Sequence, residues 1–140
     1  MRCLIAGVKD GQSCIIETIS CDGGGPDAVI HELFEIATLP PQPRPAGLGA
    51  FLDLGLPAGG VRWRLINFPP NWEYPTMHHT DSVDCNTVIR GQTDLILADG
   101  THTLVAGDCA VVPGVDHTWK VGPEGCTVVY TLIGTPRRLI

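Results

Sequence analysis

The sequence predicts an all-β protein that closes into a barrel or packs as a sandwich. Short runs rich in Val, Ile, Thr and aromatic residues recur along the 140 residues, and corners containing Gly or Pro separate them. Several runs alternate apolar and polar side chains, which is the period of a strand with two different faces. No helical pattern stands between them, so the crossovers of a parallel α/β sheet are missing.

The chain begins with a predicted hairpin. Arg2–Lys9 and Ser13–Ile19 are strand-like runs, and the Asp10-Gly11 pair between them is typical of a two-residue hairpin turn. A glycine-rich loop follows at 21–26. The next segment, 28–38, suits a helix by residue type, but its alternation of apolar and polar side chains among β-rich neighbours favours a strand.

Residues 39–60 are too rich in proline and glycine for a regular element. The apolar side chains Leu48, Phe51, Leu52 and Leu54 argue against a disordered linker. We therefore expect an extended arm that lies over the barrel wall or over a neighbouring subunit.

The run Val61–Phe68 alternates two arginines with Trp63 and Leu65, which predicts a strand with one wet and one dry face. Pro69 and Pro70 end it. Further short strands are predicted over 86–90, 94–98, 101–105, 110–112, 118–121 and 127–133. The corners between them are Gly91-Gln92, Asp99-Gly100, 106–108, Pro113-Gly114 and Gly122-Pro123.

Composition narrows the class of protein. A chain with 44% hydrophobic residues can form one domain with its own core. The net charge of −6 argues against a nucleic-acid partner, which would need a concentrated basic face. The six cysteines contain no Cys-x-x-Cys pair, so buried free thiols are expected. The N-terminal apolar run is too short for a signal or membrane segment, and we expect a soluble cytoplasmic protein.

Two separated histidine blocks resemble the motifs of the cupin family. The first block matches at His78, Thr80, Asp84 and Gly91, where Thr80 takes a usual histidine place and Asp84 replaces a usual glutamate. The second block matches at Gly107, Pro113, Gly114 and His117. The resemblance implies a cupin-type double-stranded β-helix over 1–140, with N-terminal strands and arm in 1–60 and the barrel core in 61–134.

The resemblance also implies a site. It places His78, Asp84 and His117 together inside the barrel as catalytic residues, and as ligands of a divalent Fe, Zn or Mn ion with open positions for substrate. Without a metal, the same groups could act as a general acid–base pair. Taken alone, a histidine is more often a hydrogen-bonded structural residue, and it is the recurrence of His117 at the second motif that favours a site; the aspartates could simply satisfy turn backbone groups.

Aromatic residues near the first block suggest the rest of the pocket. Trp72, Tyr74, His79, Thr80 and Trp119 are the predicted substrate-binding residues, although strand alternation sends His78 and Thr80 to one face and His79 to the other. Such a lining suits an aromatic or polyketide-like intermediate. His31 and His102 lie outside both blocks, and we expect them to be structural or solvated.

Three functions remain open from the sequence. The first is a small cupin enzyme of secondary metabolism, acting as dioxygenase, decarboxylase, isomerase or dehydratase/cyclase. The second is a non-catalytic cupin that binds a small molecule. The third is an interaction protein with a filled barrel. A homodimer is expected, because small cupins commonly pair and the arm is apolar.

Overall fold

A computed structural model describes residues 1–42 and 47–137 of the chain. The described residues form strands, turns and irregular segments and no helix. The strands are β1 (Arg2–Lys9), β2 (Gln12–Ser20), β3 (Ala50–Phe51), β4 (Val61–Phe68), β5 (His78–His79), β6 (Ser82–Leu97), β7 (Gly100–Val105), β8 (Cys109–Val112) and β9 (Thr118–Gly134).

One large mixed sheet carries most of the fold. Its order is β2-β1-β8-β6-β9-β4, and β7 pairs with β6 beyond this path. β1 pairs antiparallel with β2 and parallel with β8, so the N-terminal hairpin belongs to the same sheet as the histidine blocks. The short strands β3 and β5 form a second, parallel pair. The predicted all-β barrel fold is confirmed.

The two longest strands replace four predicted ones. Residues 86–90 and 94–97 lie within β6, with Ala98 in the turn that follows, and residues 118–121 and 127–133 lie within β9. The corners predicted at Gly91-Gln92 and Gly122-Pro123 are therefore wrong, because the chain stays in the sheet there. The register between β6 and β9 shifts instead, between Val88 and Arg90 and again between Gly91 and Thr93. These bulges bend the strands round the barrel without ending them.

Gly91 shows why a glycine stands at the bend. Its φ is 72°, and a Cβ added there would collide with the carbonyl oxygen of Gly125 on β9. Any other residue would have to adopt a left-handed backbone and push the partner strand away. Gly107 and Gly114 also have positive φ, as the predicted turn positions require.

The strand predicted over 28–38 is wrong. This segment forms no regular element, and Ile30 is 85% exposed. Leu33, Phe34 and Ile36 pack instead on the outer face of the sheet, against a cluster of the buried residues Cys3, Ile5, Val83 and Val111. The segment lies on that face as an extended strap, so its apolar residues reflect packing against the sheet and not pairing within it.

The faces of β4 are the reverse of those expected. Trp63 is 80% exposed and Leu65 is 56% exposed on the outer face, whereas Ile66 and Phe68 pack against the main core. Arg64 points the same way as Ile66 and lines an internal cavity. Alternation was predicted correctly, but the arginine-bearing face is the inner one.

The main core leaves one end of the barrel unfilled. Its buried centre is formed by aliphatic side chains that include Leu4, Leu95, Leu104 and Val112. At one end, four partly buried aromatic side chains pack against this centre: Phe68, Trp72, Trp119 and Tyr130. That end holds the cavity described below.

Two further features concern the cysteines and membrane-spanning helices. All six cysteines are free thiols; Cys3 and Cys126 are buried, and the other four are partly buried. Within residues 1–42 and 47–137, we find no helix with the length and hydropathy needed to cross a bilayer.

Candidate active site

A cavity of about 310 Å³ opens at the aromatic end of the barrel. This volume is at the lower end of the range for small-molecule sites, roughly 300–1,000 Å³. Its polar lining consists of Arg64, Tyr74, His78, Thr80, Asp84, Asn86, His117 and Tyr130. Its apolar lining consists of Leu52, Leu54, Ile66, Phe68, Trp72, Trp119, Val128 and Leu132.

The two predicted site histidines lie side by side. His78 and His117 form an isolated antiparallel bridge and exchange both backbone hydrogen bonds, at 3.0 and 2.9 Å. Their ring centroids are 4.4 Å apart, and both residues are buried. A backbone bridge therefore fixes the spacing of the pair, independently of any ligand.

Each ring is held in one orientation and one tautomer. Nδ1 of His78 lies 3.1 Å from the carbonyl oxygen of Thr76, and Nδ1 of His117 lies 2.8 Å from the carbonyl oxygen of Val115. A carbonyl can only accept, so Nδ1 carries the proton and donates it in both rings. Nε2 is then the nitrogen with the free lone pair. Neither Nε2 has a hydrogen-bond partner within the described part of the chain.

Burial keeps both imidazoles neutral. Desolvation lowers the pKa of His117 to about 4, and it also lowers the pKa of His78. The backbone acceptors and Asp116 oppose these shifts but do not outweigh them. At neutral pH each ring offers Nε2 as a hydrogen-bond acceptor or as a base.

Asp84 supplies the carboxyl group of the cavity. The hydroxyl of Ser82 donates to its Oδ1, and the hydroxyl of Thr80, at 2.9 Å, donates in turn to Ser82. Asp84 is partly open to the cavity and enclosed by protein elsewhere, and this burial raises the pKa of its carboxyl to about 7. The bond from Ser82 opposes the rise. The free Oδ2 can therefore hold a proton near neutral pH.

Aromatic rings form a continuous wall beside the histidines. The centroids of Tyr74 and His78 are 4.2 Å apart, and those of His117 and Trp119 are 6.0 Å apart. Trp72 connects Tyr74 to Phe68, with centroid distances of 6.1 and 4.7 Å. Three of the predicted substrate-binding residues, Trp72, Tyr74 and Trp119, thus line the cavity, and Thr80 lines it as well.

His79 is the exception among the predicted binding residues. It does not line the cavity; its Nδ1 lies 3.2 Å from Oδ1 of Asp116. Strand alternation explains the difference, because His79 points away from the face that carries His78 and Thr80. Its observed contact is structural.

Asp116 is a residue that the sequence reasoning missed. Besides contacting His79, its carboxylate accepts backbone hydrogen bonds from Leu48 at 2.6 Å and from Gly49 at 3.0 Å. The arm continues as β3 along β5 and brings Leu52 and Leu54 over the cavity. The expectation that the arm lies on the barrel wall holds for residues 47–56, and residues 43–46 lie outside the described part.

The described residues do not form the predicted metal centre. No group of three His, Cys, Asp or Glu side chains among residues 1–42 and 47–137 is placed to share one metal ion. The two imidazoles lie together, but the Asp84 carboxyl is engaged by Ser82 and does not join them. The donors therefore do not fit the three-ligand site of the resemblance, and we derive no step through a metal. Metal binding by these residues stays a prediction.

Arg64 and Asn86 were also missed as cavity residues. Both lie on the inner face of the sheet, in one cross-strand row in which Arg64 pairs with Tyr130 and Tyr130 pairs with Asn86. The sequence did contain an indication that Arg64 faces inward, because Arg64 stands two residues before Ile66 and four before Phe68. Residues at this spacing share a strand face.

Curated relatives match about half of this chain. Phomopsin biosynthesis cluster protein C′ of Diaporthe leptostromiformis is 38% identical over 68 residues, which are 48% of this chain and 35% of that protein. Oryzines biosynthesis cluster protein J of Aspergillus oryzae is 36% identical over 63 residues, 44% of this chain and 35% of that protein. The chain thus spans about a third of the length of these relatives. No family model matches the sequence.

Solved structures share the strand arrangement at low identity. A protein of unknown function from Rhizobium leguminosarum has a TM-score of 0.50 at 16% identity, covering 54% of this chain and 72% of that chain. A cupin-2 domain protein from Shewanella frigidimarina has a TM-score of 0.44 at 21% identity, covering 51% and 68%. These likenesses concern the fold alone.

Proposed function

We propose that this protein is an enzyme of secondary metabolism that moves protons on a small, largely apolar organic intermediate. Isomerisation, dehydration and cyclisation are the reaction classes that need only such transfers. The biosynthesis-cluster relatives support the metabolic setting, at identities of 36–38% over less than half of this chain. The cavity supports the chemistry.

The observation that carries the proposal is the pairing of neutral bases with a protonatable acid in one cavity. His78 and His117 each keep a free Nε2 lone pair, because Nδ1 is used by a backbone carbonyl. Asp84 lines the same cavity with a carboxyl whose pKa is near 7. A carboxyl with such a pKa is suited to donate a proton at neutral pH, and the neutral imidazoles keep lone pairs that can accept one.

A dehydration illustrates how the groups would act. Nε2 of one histidine removes a proton from a carbon atom of the substrate, and the electrons of that C–H bond form the new double bond. The C–O bond on the neighbouring carbon breaks, and protonated Asp84 supplies the proton with which the oxygen leaves as water. The imidazolium and the carboxylate that result return to their starting states by proton exchange with solvent.

The hydroxyl chain and the aromatic wall would assist this step. Ser82 donates to Oδ1 of Asp84, which leaves Oδ2 for the transferred proton and stabilises the carboxylate after transfer. The rings of Tyr74 and Trp119 flank the histidines and would orient a flat or unsaturated substrate. Leu52 and Leu54 of the arm limit the access of water.

A gene deletion supplies the substrate with which the proposal is tested. Deleting the gene in its host should cause one intermediate to accumulate, and the purified protein should convert that compound into an isomer or a product lacking water. Conversion should survive dialysis against EDTA. Asp84→Asn should abolish conversion, whereas the control Asp94→Asn, on the same strand outside the cavity lining, should not.

The outcome also separates the enzyme from a binding protein. If the wild-type protein binds the intermediate tightly but returns it unchanged, the non-catalytic small-molecule carrier is the correct function. Loss of conversion in EDTA that returns with Fe, Zn or Mn would instead establish the metal-dependent enzyme.

A further inference from the structure

We propose that Arg64 is the anchor for a carboxylate on the substrate, so that the cavity selects organic acids with an apolar or aromatic body. The inference rests on the proposed function only in placing the ligand in the same cavity. It concerns ligand recognition, and a binding measurement can test it without any turnover.

The first argument is that Arg64 is a cation of the cavity lining without a protein partner. Its neighbour on the same face, Arg62, is engaged, since Nη1 donates to the carbonyl oxygen of Leu54 at 2.7 Å and Nη2 to that of Gly55 at 3.2 Å. Arg64 lines the cavity, and within residues 1–42 and 47–137 its guanidinium makes no hydrogen bond or ion pair. Five N–H donors of fixed geometry are thus left for a ligand.

The second argument is position. Arg64 pairs across the sheet with Tyr130, which pairs with Asn86, and Asp84 lies two residues along β6 on the same face. Strands are about 4.8 Å apart and rise about 3.4 Å per residue, so the Cα atoms of Arg64 and Asp84 are roughly 12 Å apart along the sheet. This distance leaves room between them for the body of a small molecule.

The third argument is the contrast between the two ends of the cavity. The Arg64 side chain is exposed, which places it at the mouth, whereas His78 and His117 are buried at the other end. Apolar side chains line the walls between them, including Ile66, Phe68 and Trp119. A ligand with a carboxylate at one end and an apolar body would hold its reacting atoms against the histidines.

Charge favours an acid as the recognised class. The whole chain has a net charge of −6, so an anion can be held only where a local positive charge offsets the general repulsion. Among the cavity-lining residues, Arg64 supplies the one permanent positive charge. An arginine binds a planar carboxylate through two parallel hydrogen bonds, which a single side chain can complete. A phosphate monoester carries a second negative charge, for which the cavity-lining residues supply no second cation.

The test compares acids with their own amides. A panel of aromatic and aliphatic monocarboxylic acids of six to twelve carbons, beginning with 3-phenylpropanoate, is titrated against the protein by calorimetry and by quenching of tryptophan fluorescence. Each acid should bind about tenfold or more tightly than its primary amide, and phosphate monoesters of the same size should bind no better than the amide.

Variants then assign the preference to one residue. Arg64→Gln should remove the tenfold advantage of the acids and leave the amides unchanged, and Arg64→Lys should restore part of it. Lys9→Gln, in the N-terminal hairpin, removes the same charge far from the cavity and should have no effect. Unchanged melting temperatures establish that the variants are folded.

Acids that bind no better than their amides, or acids whose advantage survives Arg64→Gln, overturn the inference. The proposed function fails separately, through its own variants. Asp84→Asn should keep the preference for acids while losing conversion, so each failure is recognised by a different measurement.

Discussion

Replacing Asp84 by asparagine should stabilise the protein at alkaline pH and leave its stability almost unchanged at acid pH. Burial raises the pKa of this carboxyl from 3.8 to about 7 in the folded state. Between these values the unfolded chain has lost the proton while the folded chain retains it. Since the folded state then binds more protons, stability falls as pH rises through this window and is constant above it.

The size of the effect follows from the width of the window. Each pH unit corresponds to about 1.4 kcal/mol, so a window of about three units gives an upper bound of about 4 kcal/mol. Asp84 is partly open to the cavity, where water stabilises the charged form, and we halve the bound to about 2 kcal/mol. Asparagine has the shape of the protonated acid and can still accept the hydroxyl of Ser82.

Urea denaturation of both proteins at pH 4.5 and pH 8 measures this difference. The variant should exceed the wild type by about 2 kcal/mol at pH 8 and by well under 1 kcal/mol at pH 4.5. Asp94→Asn should show no such dependence on pH. A stability difference that is equal at both pH values, or a variant that is less stable at pH 8, would refute a buried, protonatable Asp84.

Three further predictions concern the histidines, the bulge and the outer face. His78→Asn and His117→Asn each keep a hydrogen-bond donor near the position of Nδ1 but remove Nε2. Each variant should therefore lower turnover at least about 100-fold at an unchanged melting temperature. The control His102→Asn should have no effect on turnover. Gly91→Val should lower the free energy of unfolding by more than about 3 kcal/mol, because the valine side chain would collide with the Gly125 carbonyl. A variant as stable as the wild type would contradict the bulge. From the sequence we expect a dimer through the N-terminal strands and the apolar arm, but the structure exposes Val61, Trp63 and Leu65 on the outer face of the edge strand β4, and we now expect the interface there. Light scattering should give a dimer that Trp63→Arg converts to a monomer, and a monomeric wild type would disprove it.

Local patterns in the sequence were sufficient for the N-terminal hairpin and for β4, whereas the histidine pair required the family motifs. The Asp10-Gly11 turn and the alternation over 61–68 depend on neighbours in sequence, and both are present in the structure. The two motif blocks placed His78 and His117 in one cavity with Asp84. Family spacing supplied that information, because nothing local indicates that residues 78 and 117 form a backbone bridge.

Features that depend on tertiary packing were not predictable in the same way. Alternation separates the two faces of β4 but does not show which face is the inner one. The inner face carries Arg64 because a cavity, and not a filled core, lies beside it. Segment 28–38 has the pattern of a strand because one side of it packs on the sheet. The bends near Gly91 and Gly122 have the composition of turns, yet β6 and β9 pair on both sides of them.

The site itself shows the same limit. Asp116 lies one residue before His117, and its role appears only when the arm is folded back to place Leu48 and Gly49 within hydrogen-bond distance. The metal ligands implied by the resemblance depend on three side chains meeting at one point. Spacing along the chain does not determine whether Asp84 turns toward Ser82 or toward the histidines.

Conversion of the accumulated intermediate in D₂O tests the central claim most directly. If Asp84 and the histidine pair move protons between substrate and solvent, mass spectrometry should find solvent deuterium at a carbon position when the product is an isomer, and the loss of one water with no oxygen from ¹⁸O₂ when the product is dehydrated. Asp84→Asn and His117→Asn should each suppress the reaction. Product that forms without deuterium at carbon and carries an oxygen atom derived from ¹⁸O₂ would contradict the account.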